Sequence, residues 1–222
     1  MRVSAPLLSL LGHELRAPAG VLGGYLAMLE KDADRLSVRQ QQALAGARRA
    51  QQTIVDGLDD LRRLTIAWRA EDEPLTWIGL ANLVQEVVQI AAARRVPLTV
   101  DAATSVAVPR RGRDASLAES LVTLAEAVGR ETGGAVTATA AVSADGRALV
   151  WQVRPAEAPE GAARHVAFDL WRPGLGVRLV TAAVTIETSG GTLEDVRADG
   201  SRAGIDVRFP LGPDDAAADT TA

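Results

Sequence analysis

The sequence predicts an α+β fold: an N-terminal antiparallel helical hairpin forming a dimeric four-helix bundle, followed by an α/β sandwich. Three observations carry this. Two long stretches repeat apolar residues at alternating steps of three and four, the a/d spacing of bundled helices. A polar break, Glu71-Asp72-Glu73-Pro74, ends them. Beyond it, helix-period segments alternate with short period-2 runs, the pattern of a sheet covered by helices on one side.

The first helix is expected over about Ala5 to Asp32. With Leu8 at heptad position a, its seam reads Leu8, Leu11, Leu15, Pro18, Leu22, Tyr25, Leu29. Residues 33–38 make a short connection. The second helix carries the seam Leu44, Ala47, Gln51, Ile54, Leu58, Leu61, Thr65, Trp68. One hairpin cannot bury two such seams, so a second copy is expected to close the bundle. Gln51, polar inside a seam, is a residue type that fixes register. This first domain covers residues 1–73.

The second domain covers residues 74–212. Its expected order is a strand near Thr76–Ile78, a helix near Leu80–Arg94, a strand near Leu98–Asp101 and a helix near Ala115–Arg130. Period-2 runs Ala135–Val142 and Ala148–Arg154 follow, joined in hairpin style at Ala144-Asp145-Gly146-Arg147. A helix near Leu175–Ser189, the pair Gly190-Gly191, and strands near Thr192–Arg197 and Gly204–Phe209 complete it. The sheet is expected to be mostly antiparallel. Residues 213–222, PDDAAADTTA, have the composition of a disordered acidic tail.

Composition narrows the function classes. With 222 residues, 47% of them hydrophobic, the chain can build proper cores, and at 3% aromatic it must build them from Leu, Val, Ile and Ala. The absence of cysteine removes disulfides, thiolate metal sites and a cysteine nucleophile, and fits a reducing cytoplasm. No run reaches the roughly 18 apolar residues of a membrane span. His13, Glu14 and Arg16 interrupt the N-terminal apolar run, which is not laid out as a signal peptide. A net charge of −4 argues against a general nucleic-acid binder. The basic clusters Arg94-Arg95 and Arg110-Arg111-Arg113 read as solvated surface.

On the Leu8 register His13 falls at position f, the outermost one, with Glu14 beside it at g. A histidine there has no packing task. It is either an idle surface residue or a reachable nucleophile, since neutral imidazole attacks phosphorus and carbon well near neutral pH. The run Gly12-His13-Glu14-Leu15-Arg16-Ala17-Pro18 resembles the H-box of sensor histidine kinases, His-Glu/Asp-Leu-Arg-Thr-Pro. The resemblance implies that His13 accepts a phosphoryl group. Glu14 could orient the ring through its other nitrogen, or simply solvate the helix; Arg16 could stabilise phosphate charge, or be an ordinary surface arginine. The order of the second domain resembles the ATP-binding domain of these kinases: residues 75–101 match its opening, and Gly174-Leu175-Gly176-Val177 with the helix and strands after it match its ending.

That domain departs from the family where ATP should bind. The resemblance places Ala127, or Glu126 after a one-residue slip, where the family has a magnesium-holding asparagine; the chain's one asparagine is Asn82. The Asp-x-Gly-x-Gly counterpart reads Val153-Arg154-Pro155-Ala156-Glu157-Ala158-Pro159 and has neither aspartate nor glycine. Between Phe168-Asp169-Leu170-Trp171-Arg172 and Gly174 only Pro173 intervenes, leaving no room for a lid. In the H-box, Ala17 replaces the Thr or Asn that family phosphatases use to position water. His165 reads as structural or surface.

The chain therefore resembles a histidine kinase core with a degenerate GHKL-type domain, closest in kind to ChpT-type phosphotransferases. The expected function is a histidine phosphotransferase of a two-component phosphorelay. His13 would be its nucleophile, assisted by Glu14 and Arg16. The expected partners are response-regulator receiver domains of a hybrid kinase and a downstream regulator, and a second copy of the chain. No ATP, metal or other cofactor of its own is expected, the receiver supplying Mg²⁺; nor is nucleic acid or membrane, and the expected location is cytoplasmic. The small residues Ala19, Gly20, Gly23 and Ala27 would let a receiver helix approach closely. The alternatives are a non-catalytic pseudokinase that regulates or scaffolds and, least favoured, an ATP-dependent kinase with an atypical pocket.

Overall fold

The computed structural model describes residues 5–102, 104–112, 116–157, 175–198 and 202–212. His165, the Phe168–Arg172 run, Gly174 and the acidic tail lie outside them. The chain packs as two units, residues 1–65 and 66–222.

In the first unit α1 (Ala5–Lys31) and α2 (Val38–Arg69, whose last turn belongs to the second unit) are joined by a turn of 3₁₀-helix at Ala33–Arg35. The start of α2 is set by a reciprocal cap. The Gln40 amide donates to Ser37 Oγ at 3.4 Å and the Ser37 amide to Gln40 Oε1 at 2.9 Å, satisfying donors the helix leaves open. α1 runs through Pro18, which has no N–H to offer the Glu14 carbonyl.

The face that α1 turns to α2 is not the expected seam. Ala19 and Leu26 are buried there. Gln51 is also buried, its Nε2 donating to the Ala19 carbonyl at 3.4 Å. A Cβ on Gly23 would lie 2.9 Å from that nitrogen, so the glycine is the hole that admits the Gln51 side chain. The seam residues Leu11, Leu15, Leu22, Tyr25 and Leu29 are instead 43–64% exposed. On α2 the seam divides: Gln51, Leu58 and Thr65 are buried, Ile54 is exposed. A single neighbouring helix covers only one stripe of a helix, and α1 is apolar over more than one.

The second unit follows the expected order closely, with β1 (Leu75–Gly79), α3 (Leu80–Arg94), β2 (Leu98–Ala102), β3 (Ala107–Arg111), α4 (Leu117–Thr132), β4 (Val136–Val142), β5 (Ala148–Pro155), α5 (Gly176–Thr188), β6 (Thr192–Ala198) and β7 (Arg202–Pro210). The main sheet runs β2-β4-β5-β7-β6, with β2 parallel to β4 and the other pairs antiparallel. β1 and β3 form a separate antiparallel pair.

β3 was not expected, because Ala107-Val108-Pro109-Arg110-Arg111 ends in two arginines and contains a proline. The solvated-surface reading of Arg110 and Arg111 is corrected here: both are half-buried. The Arg111 guanidinium donates to the Glu71 carbonyl, and its amide to Ser189 Oγ at 3.3 Å.

The core lies between the sheet and its helices. Alternate residues Val136, Ala138 and Ala140 of β4, Leu149, Trp151 and Val153 of β5, and Ile205, Val207 and Phe209 of β7 are buried against α4, the most deeply buried helix. Ser116 starts α4 by accepting the Glu119 amide at 3.0 Å, and Gly133, at φ 71°, ends it. Between α5 and β6 the backbone passes so close to the core that a Cβ on Gly191 would meet the Phe209 ring at 2.8 Å.

Candidate functional site

His13 lies in the third turn of α1 and is exposed. At roughly 100° per residue, it points away both from α2 and from the exposed leucine seam. Its neighbour Gly12 marks the α2 side: a Cβ there would be 3.7 Å from Leu61 Cδ2. Glu14, on the other side, projects toward the exposed apolar arc and is itself exposed. His13 and Glu14 thus diverge around the helix, as adjacent residues do.

Arg16 lies three residues beyond His13, on a neighbouring strip of the helix. Its Nη2 donates to Asp59 Oδ1 of α2 at 2.6 Å, with both side chains about half exposed (51% and 57%). Of the three site residues expected from sequence, the structure brings Arg16 near His13 along the helix but ties its guanidinium to α2. Asp59 was not singled out in the sequence. Its place opposite Arg16 depends on the register of α2 against α1, seen also in Gln51 against Ala19 and in Arg48 against Glu30, 3.1 Å apart.

The small residues past His13 divide into two sets. Ala19 is buried and Gly23 is filled by Gln51, so neither is offered to a partner, which corrects that expectation. Gly20, and Gly24 which the sequence reading passed over, are exposed with nothing within 4 Å of a Cβ placed on them. With the exposed Ala17 they leave a smooth, uncharged track running down α1 from His13.

In the second unit, the positions aligned with nucleotide-binding residues are otherwise engaged. Ala127 is 2% exposed, inside the core. Glu126 forms a bidentate pair with Arg178 in the first turn of α5, at 2.6 and 3.3 Å. Gly176 opens α5, and Arg178, two residues on, binds across to α4. A cleft of about 490 Å³ is lined by Arg94, Arg95, Arg130, Glu126 and glycines 129, 133 and 134. Its arginines stand at the C-terminal ends of α3 and α4, where helix dipoles call for cations, and Arg94 also holds Glu119 at 3.1 Å. Elsewhere, the Ser143 hydroxyl, and next the Arg147 amide, hold the exposed Asp145 carboxyl below its ordinary range in the β4–β5 turn. No group of three potential metal ligands occurs among the described residues, and none of their helices is long and apolar enough to cross a membrane.

The fold is similar to that of full-length ShkA in complex with AMPPNP, with a TM-score of 0.65, 19% identity, and 95% of this chain matched to 46% of that one. It is also similar to the Acinetobacter baumannii histidine kinase AdeS, with a TM-score of 0.55, 18% identity, and 90% of this chain matched to 98% of that one. The chain spans about half the length of ShkA and nearly all of the AdeS chain. No protein-family model matches it, and no curated protein matches it in sequence. The fold is histidine-kinase-like: a long helical region, then an α/β unit with a mixed sheet.

Proposed function

We propose that the protein is a dimeric histidine phosphotransferase that moves phosphoryl groups between receiver-domain aspartates through His13, without using ATP. The observation that carries this is an exposed histidine at the head of an open, uncharged helix track, on a histidine-kinase-like fold. A receiver brings its own Mg²⁺ and acidic pocket, so the histidine protein needs only a positioned nitrogen and a docking surface. The imidazole nitrogen attacks phosphorus as the aspartyl P–O bond breaks; the ring N–H proton passes to solvent, and the reverse step loads the second aspartate.

The ATP-free part of the reading is supported by the buried Ala127, by the Glu126–Arg178 pair and by the absence of Asp-x-Gly-x-Gly from the sequence. Homodimerisation through residues 1–73 is supported by the width of the exposed apolar face of α1, which exceeds what isolated surface leucines explain. Arg16, on the strip of α1 beside His13, supplies positive charge. The degenerate domain, residues 74–212, is a packed platform rather than a nucleotide site. The partners are receiver domains, and ChpT-type phosphotransferases are the nearest precedent in kind.

The test is to mix a phosphorylated receiver with the wild-type protein and with His13→Gln. Label should move to His13 in the first and stay on the receiver in the second. Receiver binding without transfer would leave the scaffolding reading; nucleotide-dependent thermal stabilisation would reinstate an ATP-dependent kinase.

A further inference from the structure

Arg16 and Asp59 are not a structural rivet. Both side chains stay about half exposed, and an ion pair in that much water is worth only about 0.2–1 kcal/mol. The hairpin is held instead by buried groups: Leu58, Leu26 and Ala19, with Gln51 seated against Gly23. Arg16 also stands on a strip of α1 adjacent to His13. A phosphoryl group on His13 would bring about two negative charges and three acceptor oxygens within its reach, a stronger partner for a guanidinium than one solvated carboxylate.

We infer that Asp59 is a positioning residue: it parks Arg16 on α2 while His13 is bare, and gives Arg16 up to the phosphoryl group once His13 is loaded. This rests on the phosphohistidine reading and deepens it. Asp59 competes with the phosphoryl group for one cation, so it sets how strongly the loaded state is stabilised and how readily that group is passed on. Removing Asp59 should strengthen the Arg16–phosphoryl contact; removing Arg16 should abolish the contact and make Asp59 irrelevant.

The experiment loads His13 from phosphoramidate, which needs no partner protein. The ring nitrogen bonds to phosphorus, the P–N bond of phosphoramidate breaks, and ammonia leaves with the proton. Phosphorus NMR then follows the second ionisation of the phosphoryl group with pH. A nearby cation favours the dianion. Arg16→Gln should raise the proton affinity of the phosphoryl group, while Asp59→Asn should lower it by about 1.4- to 5-fold, the range set by an exposed pair. Asp59→Glu should behave as wild type, and Arg16→Gln with Asp59→Asn should match Arg16→Gln alone. The surrounding charges, Glu14 on α1 and Asp60, Arg62 and Arg63 on α2, are unchanged throughout.

A purely structural pair predicts otherwise. The reversal Arg16→Asp with Asp59→Arg would then restore wild-type titration, whereas the exchange of partners predicts that it does not. Equal titration of wild type and Asp59→Asn would overturn the inference. Failure of a phosphorylated receiver to load His13, beside a normal phosphoramidate result, would instead overturn the phosphorelay reading and leave the exchange standing.

Discussion

The two units place their large apolar side chains oppositely. In the second unit Leu121, Leu124, Trp151, Ile205 and Phe209 are at most 1% exposed, enclosed by sheet and helices. On α1, nine large apolar residues from Leu7 to Leu29 are 43–64% exposed. Both regions follow a clear hydrophobic period. One period is satisfied within the chain and the other is not. Periodicity states that a face will be buried; it does not state by what. The closed unit supplies a stable platform, and the open one supplies surface.

The largest expected effect tests the open face. Leu22→Glu with Leu29→Glu should weaken self-association at least 100-fold, because each change is made in both copies and burying one leucine is worth about 1.5–3 kcal/mol. The fold of each chain should persist, since these leucines touch water already. Sedimentation at micromolar concentration checks it; an unchanged sedimentation coefficient would sink the bundle. A charge at Leu58 would not separate the two effects, because Leu58 is buried within the single hairpin.

The closed core should respond in the opposite sense. Leu124→Ala should cost about 2–5 kcal/mol in denaturant unfolding of the second unit, without a change in association. A smaller effect is expected at the start of α4. Ser116→Ala removes the acceptor for the Glu119 amide and should cost about 1 kcal/mol, read by urea midpoint.

The smallest effect concerns His13. His13→Gln removes an exposed side chain with no packing role and should change stability by no more than about 0.5 kcal/mol by thermal unfolding, while abolishing transfer. Loss of both together would mean that the residue is structural and that the open face is less open than its exposure indicates.

Much of this architecture was legible in the sequence. Local chemistry fixes α3 to the residue, the β4–β5 hairpin at Asp145-Gly146 and the short link between α1 and α2, because caps, turns and periodicity act over a few residues. The missing Asp-x-Gly-x-Gly and the alanine and glutamate near the asparagine position are also matters of composition, readable without coordinates.

What only tertiary structure decided is which residues meet at long range. β3 has no pattern of its own and exists because β1 pairs with it. Gly23 looked available until Gln51 filled it, whereas Gly24 is open. Arg110 and Arg111 looked solvated, yet β3 half-buries them. Arg16 read as a phosphate-stabilising or an ordinary surface arginine, and Asp59, 43 residues away, holds it. Each of these depends on the rotation and register of one element against another. Those are set by how side chains fill the space between elements, and no local run of sequence carries that information.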